Sequence, residues 1–193
     1  MKRKSVMSKH SRKAISQNYF RMASQYITTQ RFPKALSALR IATKADPKNA
    51  EAYNEMGLVY RKMGQSDLAL EAYQRALRLN RKNTQAMLNI GICYLYQENE
   101  PQAIQWFKKA IRSKPRYAYA HFNLGSTYFD QANYPLAIVH LEKAIKLDPH
   151  FLASYEILAM AYMILKEEAK AQAVHEQGEK IKRQVRFQHV ANQ

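Results

Sequence analysis

AYNEMGLVYRKMGQSDLALEAYQRALRLN, residues Ala52–Asn80, holds a set of residue types that returns along the chain every 34 residues. Tyr53, Met56, Gly57, Tyr60, Ala69, Tyr73 and Ala76 find their counterparts in Met87, Ile90, Gly91, Tyr94, Ala103, Phe107 and Ala110. The next copy reads His121, Leu124, Gly125, Tyr128, Ala137, Leu141, Ala144, then Pro149. Upstream stand Tyr19, Met22, Ala23, Tyr26, Ala35, Leu39, Ala42 and Pro47; downstream stand Tyr155, Leu158, Ala159, Tyr162, Ala171, His175 and Gly178. No insertion breaks the period, so five units tile residues 16–185, bounded 16–49, 50–83, 84–117, 118–151 and 152–185. Within each unit the apolar positions recur at three- and four-residue steps, which places them on one face of a helix.

An aromatic, an apolar residue followed by Gly, a Tyr, an Ala, a second bulky residue and a late Pro at this period resemble the tetratricopeptide repeat. The resemblance implies an all-α fold, a right-handed superhelical solenoid of antiparallel helix pairs, continuous rather than split into globular domains. Its departures sit in two units. Arg81 stands where Pro115 and Pro149 end their repeats, and the fifth unit has His175 at the bulky position and Gly178 at an Ala position, as a degenerate end unit does.

Local signals fill in the elements. Met63-Gly64 closes the first helix of the second unit and Ser66 can cap its second helix. Pro33, Pro101 and Pro135 suit first turns, where a missing N–H costs nothing. Gly57, Gly91 and Gly125 sit inside helices at a cost of about 1 kcal/mol each relative to Ala. The resemblance implies the compensation: at this position the two helices of a pair approach closely, beside Ala69, Ala103 and Ala137.

The formal net charge is +16, and the excess lies before Ala118. Residues 1–15 carry Lys2, Arg3, Lys4, Lys9, Arg12 and Lys13 with no acid and no sustained period, and read as a flexible basic arm. Residues 186–193 read as the end of a capping helix and a tail. The basic N-terminal half suits an acidic partner, a nucleic acid or an anionic surface. Tyr19, Phe20, Tyr26 and Phe32 interleave with Arg21 and Arg31 there, which gives a second reading of the chain as a nucleic-acid-associated protein.

No motif for phosphate cradling, nucleophilic catalysis or metal-assisted hydrolysis occurs, so the expectation is a non-enzymatic chain without cofactor or metal. Six histidines are scattered without ligand spacing. A single cysteine, Cys93, cannot form an internal disulfide and reads as a buried small residue; with no apolar run long enough for a membrane span or a secretory signal, the expected location is the cytoplasm.

The resemblance directs attention to the inner groove of the solenoid, which in the family holds a peptide or helix of a partner. The positions carried over are Asn54, Leu88, Asn89, Ile92 and Leu95, then Tyr119, Phe122, Asn123 and Phe129, and finally Met160 and Met163. The cations that a carboxylate clamp needs are missing from these positions. Asn89 and Asn123 occupy equivalent places in adjacent units, where an amide can donate to and accept from a peptide backbone at once. The apolar and aromatic positions offer pockets for side chains or an amphipathic helix. The leading expectation is thus a protein-binding adaptor or scaffold, chaperone-like in holding a partner segment; whether the solenoid ends pair into a homo-oligomer stays open.

Overall fold

The computed structural model describes residues 8–191, in which ten α-helices and no strand occur. They are α1 (Lys9–Thr28), α2 (Phe32–Ala45), α3 (Ala50–Lys62), α4 (Ser66–Leu79), α5 (Thr84–Tyr96), α6 (Glu100–Ser113), α7 (Ala118–Asp130), α8 (Tyr134–Leu147), α9 (Leu152–Ile164) and α10 (Glu168–Ala191). Each expected unit contributes two of them, joined by a short turn. The chain divides into two compact units between Glu98 and Asn99, so the third repeat gives α5 to the first unit and α6 to the second.

The helices begin where side chains satisfy their first amides. The Asn49, Asn83, Asn99 and Asn133 carboxamide oxygens accept from the backbone N–H groups of Ala52, Ala86, Gln102 and Leu136 at 2.9, 3.0, 3.3 and 3.3 Å, which fills part of the donor deficit at a helix start. Ser66 does not act this way. It is the first residue of α4, and Gln65, at the cap, makes no side-chain bond.

The turns inside the pairs share one device. Gln30, Gly64, Glu98, Ala132 and Lys166, one per repeat, have φ of 54°, 75°, 57°, 56° and 60°. The left-handed residue lets the N–H that follows it reach back to a Tyr carbonyl in the helix, as in Arg31 to Tyr26 at 2.8 Å and Asn133 to Tyr128 at 2.8 Å. Only Gly64 takes this conformation without a Cβ penalty.

In the first unit α1 packs on α2 and α3 on α4, and α3 and α5 each seat on the helix before them. In the second, α7 packs on α8 and α9 on α10, while α7 seats on α6 and α9 on α8. The bulky repeat position supplies Leu39, Tyr73, Phe107 and Leu141, all fully buried. The glycine position works as the resemblance implies at Gly57, where an added Cβ would meet the Tyr73 ring at 2.5 Å.

Part of the stretch 1–15 expected as a flexible arm is helical. Lys9, Arg12 and Lys13 form the opening turns of α1, capped by Ser8, whose hydroxyl accepts from the Ser11 N–H at 3.1 Å. An apolar period is not needed to start a helix; a cap followed by Lys, Arg and Ala is sufficient. Lys2, Arg3 and Lys4 lie outside the described residues.

Candidate partner-binding grooves

In the second unit, the face of α7, α9 and α10 is apolar and open. Phe129 of α7, Met160, Met163 and Ile164 of α9, and Ala171 and Gln172 of α10 line a groove of about 850 Å³, with Glu156, Glu168 and His175 at its margins. Met160 is 48% exposed and Met163 58%, so an apolar patch is left in water on adjacent turns of one helix. Outside that lining, Phe151 holds two more aromatic residues together, its ring 4.9 Å from that of Tyr119 and 4.5 Å from that of Phe122. Phe129 rests edge-on against Tyr134 at 5.5 Å. Such contacts fix the rings and leave a rigid rather than a collapsing surface.

Of the expected groove residues, Tyr119, Phe122, Asn123, Phe129, Met160 and Met163 belong to this unit, and Phe129, Met160 and Met163 line the groove itself. The Asn123 amide is turned onto its own helix, donating to the Tyr119 carbonyl at 2.7 Å. The α10 wall, with Glu168, Gln172 and His175, lies outside the expectation, which considers only the first helix of each pair. A signal for it exists in the sequence: His175 is a polar ring where the other repeats bury Leu39, Tyr73, Phe107 or Leu141, and here it is exposed and lines the groove.

In the first unit the corresponding face is polar. Lys13, Gln17, Phe20, Arg21 and Ser24 of α1 lie across from Asp46, Lys48, Asn49 and Glu51 around a groove of about 740 Å³. The Asn49 amide donates to Ser16 Oγ at 3.0 Å and ties the start of α3 to α1. Asn54, Leu88 and Asn89 are buried, Asn89 to 7% exposure, and its amide donates to Asn54 Oδ1 at 3.5 Å. Ile92 and Leu95 are half-buried. Asn89 and Asn123, equivalent in sequence, therefore sit differently: one between helices, the other on a more open helix face.

Two titratable clusters remain. Burial pushes the Cys93 thiol up to about 11, with Arg61 offsetting part of the rise, so this cysteine is protonated at neutral pH. Burial likewise raises the Glu55 carboxyl above its usual range. In the second unit His121 and His140 approach at 3.2 Å between their Nδ1 atoms, a pair that their separation in sequence hides. His121 Nε2–H donates to the Pro115 carbonyl at 3.1 Å, which leaves His121 Nδ1 to accept from His140. Burial holds both rings below the ordinary histidine range, His140 at about 4, where the charges of His121 and Lys108 add to the effect. Among the described residues no group of three or more His, Cys, Asp or Glu is placed to hold a metal ion, and no helix is long and apolar enough to cross a membrane.

Comparison with known families matches residues 48–116 and 118–151 to models described as tetratricopeptide repeat, and residues 23–64 to one described as TPR repeat. Comparison with curated proteins gives no match. Among solved structures, PilF of Pseudomonas aeruginosa is 21% identical with a TM-score of 0.82, over 88% of this chain and 78% of that one. MamA of Desulfovibrio magneticus RS-1 is 18% identical with a TM-score of 0.74, over 88% and 96%. YrrB, described as a TPR protein with an unusual peptide-binding site, is 19% identical with a TM-score of 0.64, over 84% of each chain. At these identities the likeness is one of fold.

Proposed function

We propose that this chain, which belongs to the tetratricopeptide-repeat family, is a non-enzymatic adaptor that holds a segment of another protein in its second unit. The observation that carries the reading is the groove lined by half-buried Phe129 and by Met160, Met163 and Ile164, which are exposed yet set on a helix. Methionine adapts its shape to a guest, and the Tyr119 and Phe122 rings of the same unit supply broad contact area at little entropic cost. The peptide-binding site for which YrrB is described, on the same fold, lends support. A chaperone-like role is one form of the same activity.

The test is affinity purification from extract of the source organism with wild type and a Met160→Asp/Met163→Asp variant, whose substitutions fall on exposed positions. A partner retained by wild type in moderate salt and lost by the variant supports the reading. Equal recovery by both proteins sinks it.

A second reading, nucleic-acid association, draws on the α1–α2 hairpin. Residues 9–48 hold Lys9, Arg12, Lys13, Arg21, Arg31, Lys34, Arg40, Lys44 and Lys48 against one acid, Asp46, with Glu51 of α3 across the groove, and among the described residues none of these cations is within ion-pair distance of a carboxylate. Phosphate binding by such a surface requires affinity that falls steeply with salt. Titration of a labelled single-stranded oligonucleotide across ionic strengths decides it, and salt-insensitive binding removes it.

A further inference from the structure

The groove of the second unit has the opposite electrostatic sign to the chain that carries it. The sequence has 31 Lys and Arg against 15 Asp and Glu, yet the charged side chains lining the groove are Glu156 and Glu168. The nearby ion pairs are made elsewhere, Glu167 with Lys170 and Glu179 with Lys182. Among the described residues no cation lies within ion-pair distance of Glu156 or Glu168. Two carboxylates without a cationic partner, Glu168 favoured only by the N-terminus of α10, are a penalty for a neutral or acidic guest, because binding strips their water and supplies no opposite charge.

Helix geometry sets their separation. α9 lines the groove from Glu156 to Ile164, which at 1.5 Å per residue is about 12 Å of helix. α10 begins with Glu168, just past the turn that follows Ile164, and runs back along α9 until His175 meets Glu156 in an adjoining recess. One carboxylate therefore stands at each end of the trough, with Met160, Met163 and Ile164 between them.

We propose that the groove takes an amphipathic helix whose two basic residues are about seven positions apart and flank apolar residues on the same face, a proposal that rests on the adaptor reading. Two helical turns span about 11 Å, so each cation of such a helix reaches one carboxylate while the side chains between enter the trough. A trough between two antiparallel helices is the width that a third helix fills.

The test uses the full chain and fluorescein-labelled synthetic helices of about 18 residues, long enough to hold helical structure. Two peptides share one apolar Leu/Met face and differ only in carrying Lys or Gln at the two flanking positions. Anisotropy at physiological ionic strength should show the Lys peptide binding wild type about tenfold more tightly than the Gln peptide. In Glu156→Gln/Glu168→Gln the gap should close from both sides, the Lys peptide binding more weakly than to wild type and the Gln peptide at least as tightly. Equal affinity of wild type for the two peptides, with both lost in Met160→Asp/Met163→Asp, overturns the basic-helix proposal and leaves the adaptor reading standing. Failure of wild type to bind either peptide overturns both. Sedimentation of the free chain as a dimer that Met163→Asp converts to monomer also overturns the proposal, because a second copy then occupies the groove. Circular dichroism of each variant confirms that the fold is retained.

Discussion

Replacing Gly57 with Ala tests the close approach of α3 and α4 directly. A Cβ at Gly57 would lie 2.5, 2.6 and 2.8 Å from Cε1, Cδ1 and Cζ of Tyr73. Tyr73 is 0% exposed, so the ring has no solvent to retreat into and must shift by about 1 Å against its neighbours to restore ordinary contact. Alanine gains about 1 kcal/mol of helix propensity over glycine. Overpacking a closed site costs about 1–3 kcal/mol, and a three-atom overlap with a rigid ring belongs at the upper end. The net expectation is a loss of about 1–2 kcal/mol. Two other glycines calibrate it. At Gly125 the contacts are Leu141 Cγ at 2.9 Å and the Ala137 carbonyl at 3.2 Å, so a loss is expected there too. At Gly178 the closest atom is Tyr155 Cβ at 3.0 Å, a gap that small relaxation opens, and the propensity gain should leave stability nearly unchanged. Urea unfolding followed by circular dichroism reads the order, and Tyr73→Leu should relieve Gly57→Ala as a coupled pair. Two results would refute the reasoning: a Gly57→Ala protein more stable than wild type, or a cost of Gly57→Ala that is the same in the wild-type and Tyr73→Leu backgrounds.

Three further outcomes are expected. Ser154 is fully buried and its hydroxyl finds no partner among the described residues, so Ser154→Ala should raise stability by about 1 kcal/mol in a urea titration; a loss would show that the hydroxyl is satisfied. Ala132 holds φ of 56°, so Ala132→Gly should stabilise by about 0.5–1 kcal/mol and Gly64→Ala should destabilise by a similar amount; opposite signs in thermal melts would contradict the shared turn geometry. His140 is held at about 4, below the ordinary 6.5, so the unfolded chain binds a proton that the folded chain refuses. That stability contribution is intact above pH 6.5 and is lost as pH falls toward 4. Discounted for partial exposure, the loss between pH 7 and pH 5 is about 1 kcal/mol. His140→Phe, which keeps a ring on Tyr128, should flatten the pH dependence of the urea midpoint, and equal slopes for both proteins would exclude the His121–His140 pair as its source.

The fold is legible because a repeat writes the same instruction several times. Tyr60, Gly57 and Ala69 are ambiguous alone, but their return at a fixed period identifies packing positions without any knowledge of contacts. The same redundancy fails at the turns. All five adopt a left-handed residue, yet Gln30, Glu98, Ala132 and Lys166 give no sign of it, since helix pairing imposes the conformation and only Gly64 advertises it. The start of α1 is hidden for a related reason: polar Lys9, Arg12 and Lys13 carry no period, and a serine cap decides the boundary.

The candidate site is half legible, and the division follows the physics. Apolar residues at the groove positions of α7 and α9 can be named because exposure of Met160 and Met163 follows from their place on a helix. Whether an amide faces a guest or a neighbouring helix depends on packing between repeats, which is why Asn89 and Asn123 look equivalent in sequence and differ in space. The acidic margin is hidden by the opposite effect. A net charge of +16 describes the whole chain, while a guest responds to the few charges within a Debye length of its own. The charges that line this groove are Glu156 and Glu168, on two different helices brought to one trough by the turn at Lys166. The degenerate fifth repeat is thus where the proposed function concentrates: His175, at a position that the other repeats bury, is exposed on a groove lined also by the two carboxylates proposed to select what enters.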